Sequence, residues 1–290
     1  MTGQNLLKII IKHLSQIADI LLLNGTLTYS PGLVHGKMGI AVFFFHYAKY
    51  TGNILFSDYA IDLIREMQNQ LHTNTPADYE NGIAGIGVGI DYLNRNEFLI
   101  IEDGIYEDFD AKMYRAVMYD PWLDFSLYDG LTGYGRYWIS RLNYQMSLIK
   151  AQECVFRIIR LIEENFLDIS IKEQTDVYCF LLDLNQISGF EICSGLLDQC
   201  RQWDLLFIDK SRHFPRLINS SIGDIIQMCQ QSRYFNESLQ NEIDIALKQI
   251  LYLDIDKLPS SMGLLTGYAG EGMLRLTALN QIDIQWANLL

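Results

Sequence analysis

Apolar residues recur along this chain at helical spacing, and they define two kinds of segment. In the first kind, exemplified by 55–71, charged residues take one side of the helix and Ile, Leu and Met the other. In the second kind, exemplified by 37–50, nearly every position is apolar. The first pattern is typical of a half-exposed helix, and the second indicates a helix that is buried on all sides.

The two kinds of segment alternate, so the pattern predicts six outer helices, six inner helices and an all-α fold. The predicted outer segments are 5–23, 55–71, 105–118, 147–165, 190–203 and 237–252. The predicted inner segments are 37–50, 83–95, 131–142, 173–186, 220–231 and 264–279.

A glycine motif opens several inner segments. Its fullest copy is Asp-Gly-Leu-Thr-Gly-Tyr-Gly at 129–135, and similar copies begin at Gly36, Gly82 and Leu264, where Leu replaces the first Gly. Counted from the first Gly position of each copy, at 36, 82, 130 and 264, the intervals are 46, 48 and 134 residues, and the last is close to three steps of about 45. Spacing alone places two weaker copies at 175–180 and 220–225. The sequence therefore predicts six repeats in one domain, 1–290.

A helix that is buried on all sides needs neighbours all round. Six such helices with short connections can supply them by closing into a ring inside a second ring, which is an (α/α)6 toroid. An open solenoid of helix pairs is the alternative. Closure is favoured because the inner segments show little polar surface.

Composition limits the classes of function. The net charge of −13 disfavours a nucleic-acid binder, which would present a basic face. No window reaches 18 uninterrupted apolar residues, so no membrane span is predicted, and 5–23 is interpreted as an amphipathic helix rather than a signal sequence. Five cysteines without a secretion signal are expected to be free thiols in a cytoplasmic protein.

The motif glycines are interpreted as packing devices, because Gly near a helix start is unfavourable by about 1 kcal/mol relative to Ala unless close backbone approach requires it. The residue before the first Gly is more informative, since it is polar in five of six repeats. These residues are His35, Asn81, Asp129, Gln174, Asn219 and Gly263. In a toroid they would surround the mouth of a central cavity. For Asn81, Asp129 and Asn219, helix N-capping is the alternative interpretation.

Three residues are the candidate catalytic groups. His35 is a poor N-cap and can accept or donate a proton near neutral pH. Tyr128 and Asp129 place a hydroxyl and a carboxylate before the same turn. The remaining histidines are less informative: His46 is expected in the core, and His72 and His213 in loops.

Seven further residues are candidates for ligand binding. Tyr79, Glu80 and Asn81 repeat the arrangement of Tyr128 and Asp129 one unit earlier. Arg136, Arg275 and Glu271 are charged residues in inner segments, and Tyr268 accompanies Glu271 in the last one. Such charges either pair with each other across the ring or hold an anionic ligand.

The Gly-Leu-x-Gly helix starts, with Gly-Leu-Val-His-Gly-Lys-Met-Gly at 32–39, resemble the lanthionine synthetase C-like family over residues 30–280. The resemblance implies a toroid, commonly of seven helix pairs, and a peptide cyclase that adds a Cys thiolate to a dehydrated Ser or Thr. It also implies that His35 belongs to the active site without binding zinc. A peptide substrate or a peptide-modifying enzyme is the expected partner.

The chain departs from the family at the zinc ligands. The family uses a Trp-Cys-x-Gly start and a Cys-His-Gly start, whereas Val34 precedes His35 here and no Cys directly precedes a repeat Gly. Cys193, Cys200 and Cys179 are the nearest approach to a ligand set, although small buried side chains are the simpler interpretation. No metal or other cofactor is therefore expected.

Two other functions stay open. A carbohydrate-active α/α-toroid lyase or hydrolase would use a carboxylate pair, with Glu80 and Asp129 the obvious choice, at a separation of roughly 5–10 Å. A non-catalytic scaffold of a peptide-modification system would bind a peptide without turnover.

Overall fold

The computed structural model describes residues 3–72, 74–101, 106–143, 147–190, 193–203, 221–235, 239–255 and 261–290. Within these ranges the regular secondary structure is entirely helical, which confirms the all-α prediction. No helix there is long and apolar enough to cross a membrane.

The described ranges contain twelve α-helices and a short 3₁₀ helix at Ile284–Leu289. The α-helices are α1 (Gly3–Asn24), α2 (Lys37–Thr51), α3 (Ile54–Gln70), α4 (Ile83–Arg95), α5 (Glu107–Met118), α6 (Leu131–Arg141), α7 (Leu148–Glu164), α8 (Ile171–Asn185), α9 (Cys193–Cys200), α10 (Ser221–Phe235), α11 (Gln240–Ile250) and α12 (Tyr268–Ala278). Every helix end lies within about four residues of its predicted position. The 3₁₀ helix was not predicted; it buries Trp286, whose indole N–H donates to Thr277 Oγ1 over 3.0 Å.

The chain divides into two compact units. Unit 1 comprises Met1–Asn74 and Arg216–Leu290, and unit 2 comprises Thr75–Pro215. In unit 1, α2 packs against α3 and α12, and α12 also packs against α1 and α11. In unit 2, α6 packs against α4, α7 and α8.

Most inner helices are as buried as their sequences predict. Every residue of α2 from Lys37 to Ala48 is buried, as are Tyr268–Thr277 of α12. The buried Lys37 ammonium donates to Glu66 Oε2 of α3 over 2.9 Å, which explains a Lys at an otherwise apolar motif position. The prediction is wrong for α8, where only five of fifteen residues are buried, and for α10, where many residues from Gln227 onward are only partly buried.

A seven-residue loop precedes four of the inner helices, and it folds back onto the helix start in the same way each time. We name these loops L2 (30–36), L4 (76–82), L6 (124–130) and L12 (261–267) after the helix that follows. The first backbone N–H of each helix donates to the carbonyl of the first loop residue, over 2.9, 3.0, 2.7 and 3.4 Å respectively. The loop carbonyls thus satisfy helix N–H groups that have no partner within the helix.

Glycine ends each loop because the backbone crosses itself there. A Cβ on Gly36, Gly82, Gly130 or Gly267 would lie 2.3 to 2.5 Å from the carbonyl oxygen of the first loop residue. This contact supports the interpretation of the glycines as packing devices. It also corrects the register of the fourth copy: Gly267, rather than Leu264, is equivalent to Gly36, so α12 begins at Tyr268.

Neighbouring loops are joined by the same pair of backbone hydrogen bonds in both units. In unit 2, the N–H groups of Tyr79 and Glu80 in L4 donate to the carbonyl of Tyr128 in L6, over 2.8 and 3.2 Å. In unit 1, the N–H groups of Leu264 and Leu265 in L12 donate to the carbonyl of Val34 in L2, also over 2.8 and 3.2 Å. The loops before α12 and α2 are therefore joined in the same way as the loops before α4 and α6.

The repeat breaks down at α8, where the prediction of Gln174 at a loop end is wrong. The helix begins earlier, at Ile171, behind a Ser170–Glu173 capping box, so Gln174 lies in its first turn. An α8 carboxylate takes the place of the missing loop carbonyl, because Asp176 Oδ2 accepts from the N–H of Leu127, the fourth residue of L6, over 2.9 Å. Glu173 Oε1 accepts from the N–H of Phe125, the second residue, over 2.8 Å. The copy of the glycine motif predicted at 220–225 begins one residue before the described range 221–235.

Candidate functional site

The residue just before the final loop glycine is polar in each of the four loops. His35, Asn81 and Asp129 occupy this position as predicted, and Thr266 occupies it in L12, which corrects the prediction of Gly263. Gln174 does not share the position, and Asn219 and His213 lie outside the described residues. The capping interpretation of Asn81 and Asp129 is wrong, because Gly82 and Gly130 are the N-cap residues.

Unit 2 brings six of the predicted site residues together. The hydrogen bonds from L4 to Tyr128 align Tyr79, Glu80 and Asn81 beside Tyr128 and Asp129. Arg136, in the second turn of α6, places its guanidinium 5.7 Å from the centre of the Tyr79 ring. We call this group, with Asp78, Asp124 and Tyr134, the acid–tyrosine cluster.

Side chains within the cluster differ in their exposure. Tyr79 is fully buried, and its ring serves as a support for Arg136. Glu80, Asn81 and Tyr128 are half-buried, and Asp129 is exposed. Asp129 is therefore the most accessible side chain of the cluster.

The electrostatics of the cluster favour protonated groups. The pKa of Asp129 is raised, first by partial burial of its carboxyl and then by the negative charges of Glu80, Asp78 and Asp124. The pKa of Tyr128 is raised by burial and by Asp176, although Arg136 opposes the shift. Burial with Asp78, Asp124 and Asp129 raises the pKa of Tyr134 to about 12. The cluster thus contains a carboxyl that is easier to protonate than usual and two tyrosines that keep their protons.

Sequence reasoning missed Asp78, Asp124 and Tyr134. Asp78 Oδ1 accepts from the N–H groups of Asn81 and Gly82, over 2.7 and 3.1 Å, and Asp124 Oδ1 accepts from the Ser126 N–H over 2.8 Å. Both aspartates therefore shape their loops as well as contributing charge. The two acids hold different places, Asp78 third in L4 and Asp124 first in L6, so the signal in the sequence was an acid within each loop rather than a shared position.

Unit 1 presents a less polar version of the same loop pair. Val34 of L2 is buried at the position that Tyr128 holds in L6, and Leu265 of L12 is buried at the position that Glu80 holds in L4. His35 is half-buried at the sixth position of L2, and Tyr268 is the buried first residue of α12. His35 is thus the main polar candidate that L2 contributes.

Arg275 and Glu271 form an ion pair within α12. Arg275, fully buried two turns into the helix, donates to Glu271 Oε1 from Nη2 over 2.7 Å and from Nε over 3.1 Å. It also donates to the Leu253 carbonyl over 2.9 Å, and its Nη1 lies 3.1 Å from His13 Nδ1. Arg275 and Glu271 thus pair with each other, but within one helix rather than across a ring as the sequence suggested. The contacts of Arg275 with His13 and Leu253 link α12 to α1 and to the segment after α11.

The described residues do not fit a zinc site. No group of three His, Cys, Asp or Glu side chains within them is arranged to hold a metal ion. The five cysteines are free, and burial raises the pKa of the Cys193 and Cys200 thiols to about 11 and about 12. A thiol must lose its proton to bind zinc, so these positions are poor ligands. We therefore derive no step through a metal.

Chemically, the acid–tyrosine cluster offers hydroxyl and carboxyl proton donors beside a carboxylate acceptor, at the starts of two helices. No family model matches this chain, and no curated protein matches its sequence.

Proposed function

We propose that this protein is a lanthionine synthetase C-like protein that binds a peptide through the acid–tyrosine cluster of unit 2 and acts without zinc. One observation carries the proposal. The carbonyl of Tyr128 accepts two hydrogen bonds from L4, and these align the polar residues of two successive glycine-ended loops. The family resemblance rests on the same loops, and it supplies the expectation of a peptide.

We also propose that the repeats close into an (α/α)6 toroid. The support comes from unit 1, where L12 donates to L2 as L4 donates to L6 in unit 2. A closed ring of this length should have a radius of gyration near 19 Å, from the size scaling of compact domains. Small-angle X-ray scattering that gives a clearly larger radius for the monomer would favour an open solenoid.

The reaction that the resemblance implies joins the sulfur of a peptide Cys to the β-carbon of a dehydrated Ser or Thr. The thiol gives up its proton, and the α-carbon gains one. Asp129 is suited to both transfers, because its raised pKa lets it hold the proton between them. Tyr128 stays protonated and can donate to the carbonyl oxygen on which negative charge develops. His35, in unit 1, is a separate candidate for proton transfer.

A labelled peptide with one Cys and one dehydroalanine tests the proposal. We expect saturable binding by fluorescence anisotropy, and loss of alkylatable thiol faster than in the peptide alone, both unchanged by EDTA. Asp129→Asn and Tyr128→Phe should slow thiol loss by about 10²-fold or more, the usual size of an acid–base contribution. His35→Ala is assayed separately, and Asp58→Asn, an exposed acid on α3, is the matched control.

Three results would change the conclusion. No binding would remove the proposed function altogether. Binding without turnover would leave the non-catalytic scaffold. Stoichiometric zinc in the purified protein, with activity lost on its removal, would overturn the zinc-free mechanism.

A carbohydrate-active enzyme is the second candidate, and one observation favours it. Asp129 has a raised pKa, and Glu80 contributes the largest of the charge effects that raise it. A carboxyl kept protonated beside a carboxylate is the acid–base arrangement of glycosidases. Release of reducing ends from a panel of polysaccharides, abolished by Glu80→Gln and Asp129→Asn, would favour this function over the first.

A further inference from the structure

The segment between α5 and L6 exposes three large apolar side chains within five residues. Tyr119, Trp122 and Leu123 are 76%, 66% and 57% exposed. An indole is a large apolar group that proteins ordinarily bury at least in part, and exposed aromatic clusters mark interaction sites. Three residues span at most about 10 Å, so Tyr119 and Trp122 can contact a single bound segment.

One side of this surface is held in place by neighbouring helices of unit 2. The Tyr119 ring packs edge-on against the Tyr114 ring of α5, with centroids 6.0 Å apart. The Tyr114 hydroxyl in turn donates to Glu153 Oε2 of α7 over 2.8 Å. Tyr119 is therefore exposed while its position is constrained, which lowers the entropy lost on binding.

The charged residues along this segment of the sequence are all acidic. Asp120 and Asp124 flank Trp122, and the stretch 116–135 contains three Asp and no Lys, Arg or His. Arg115, one turn before Tyr119, is the nearest preceding base in the sequence, and Arg136, the nearest following one, lies over Tyr79. Trp is the best aromatic acceptor for a cation, and flanking carboxylates strengthen that preference.

We propose that the segment 119–124 is a docking surface for a cationic peptide in which Lys or Arg side chains alternate with apolar ones. The Lys or Arg side chains of the peptide lie over Trp122 and Tyr119 and beside Asp120, and its apolar side chains cover Leu123. This inference rests on the proposed function, whose peptide it specifies by charge. L6 begins at Asp124, so a peptide docked here leads directly to the acid–tyrosine cluster.

Fluorescein-labelled repeats of Gly-Lys-Leu, Gly-Gln-Leu and Gly-Glu-Leu of equal length are the probes. We expect the Lys peptide to bind tightest by anisotropy. Trp122→Ala should weaken its binding about tenfold, while Trp122→Phe, which keeps a ring, should weaken it less. Because Trp122 is mostly exposed, neither change removes a core contact. Ile100→Ala, at a fully exposed apolar position, is the matched control and should leave the affinity unchanged.

Tryptophan fluorescence reports on the same site. Of the four tryptophans, Trp138 and Trp286 are buried and Trp203 is half-buried against Phe166, so the difference in acrylamide quenching between the wild type and Trp122→Phe reports on Trp122. The Lys peptide should protect the wild type from quenching, and this protection should be lost in Trp122→Phe.

The outcomes separate the two proposals. The docking surface would be overturned if the three peptides bind equally, or if Trp122→Ala does not change the affinity and the Lys peptide does not change quenching. Either result would leave peptide binding by the protein intact. If the Cys–dehydroalanine peptide and all three repeats fail to bind, the proposed function and this inference both fall.

Discussion

Gly87 of α4 lies directly against the ring of Tyr137 of α6. A Cβ on Gly87 would come within 2.4 Å of Tyr137 Cε2, which is closer than two carbon atoms can approach without displacement. The ring is fully buried, and its hydroxyl donates to Asp110 Oδ1 over 2.5 Å. Gly135 meets Phe180 of α8 in the same way, and Gly272 meets Phe43 of α2. The third motif glycine therefore sets the spacing between successive inner helices.

Replacing Gly87 by Ala should lower the free energy of unfolding by roughly 1–3 kcal/mol, because the anchored Tyr137 ring cannot move aside without strain. Urea unfolding followed by circular dichroism measures the change. Gly195→Ala is the control, since Gly195 is an exposed helical glycine with open space around it. That change should stabilise α9 by up to about 1 kcal/mol. Equal effects at the two positions would contradict the spacing role.

Glu271→Gln should destabilise unit 1, because it leaves the fully buried Arg275 guanidinium without its carboxylate. Breaking a buried ion pair costs about 3–5 kcal/mol, and this value is an upper bound here since Gln can still accept a hydrogen bond. Asp62→Asn, which removes an exposed pair with Arg65, should change stability by less than about 0.5 kcal/mol. An unchanged unfolding midpoint for Glu271→Gln would contradict a stabilising role for the pair.

Stability should fall as pH is lowered, because of His46 in α2. Burial, with a smaller contribution from Lys49, lowers the pKa of His46 to about 4, against about 6.5 in the unfolded chain. Below pH 6.5 the unfolded chain binds a proton that the folded chain does not bind until about pH 4. Stability is therefore complete above pH 6.5 and declines through this window, by about 2 kcal/mol at pH 5.

The measurement is the free energy of unfolding at pH 7.5 and 5 for the wild type and His46→Asn. The difference between the two proteins isolates His46 from other titrating groups, among them His13, whose pKa is lowered by burial and by Arg275. His46→Asn should lose about 2 kcal/mol less than the wild type between these pH values. Parallel pH profiles would show that the pKa of His46 is the same in the folded and the unfolded chain, and would contradict the prediction.

The sequence by itself determined which segments are helices, and it identified α2, α4, α6 and α12 as the buried ones. Helix periodicity and glycine position depend on residues that are near one another in the chain, so α2, α4 and α6 begin at Lys37, Ile83 and Leu131 as predicted. The polar position before the loop glycine was also visible, and it led to His35, Asn81 and Asp129.

Tertiary structure decided how those loops are completed. Thr266 is equivalent to Asp129 because the backbone of L12 crosses itself at Gly267. The sequence pointed to Gly263 instead, because Leu-Thr-Gly-Tyr at 265–268 is identical to 131–134. Asp176 supports L6 from another helix, and Asp78, Asp124 and Tyr134 join the cluster through space. Hydrogen bonds and charge effects between residues that are distant in the chain depend on distances that only folding creates. The local pattern therefore specified the helices and the polar loop position, and packing specified which other residues complete the site.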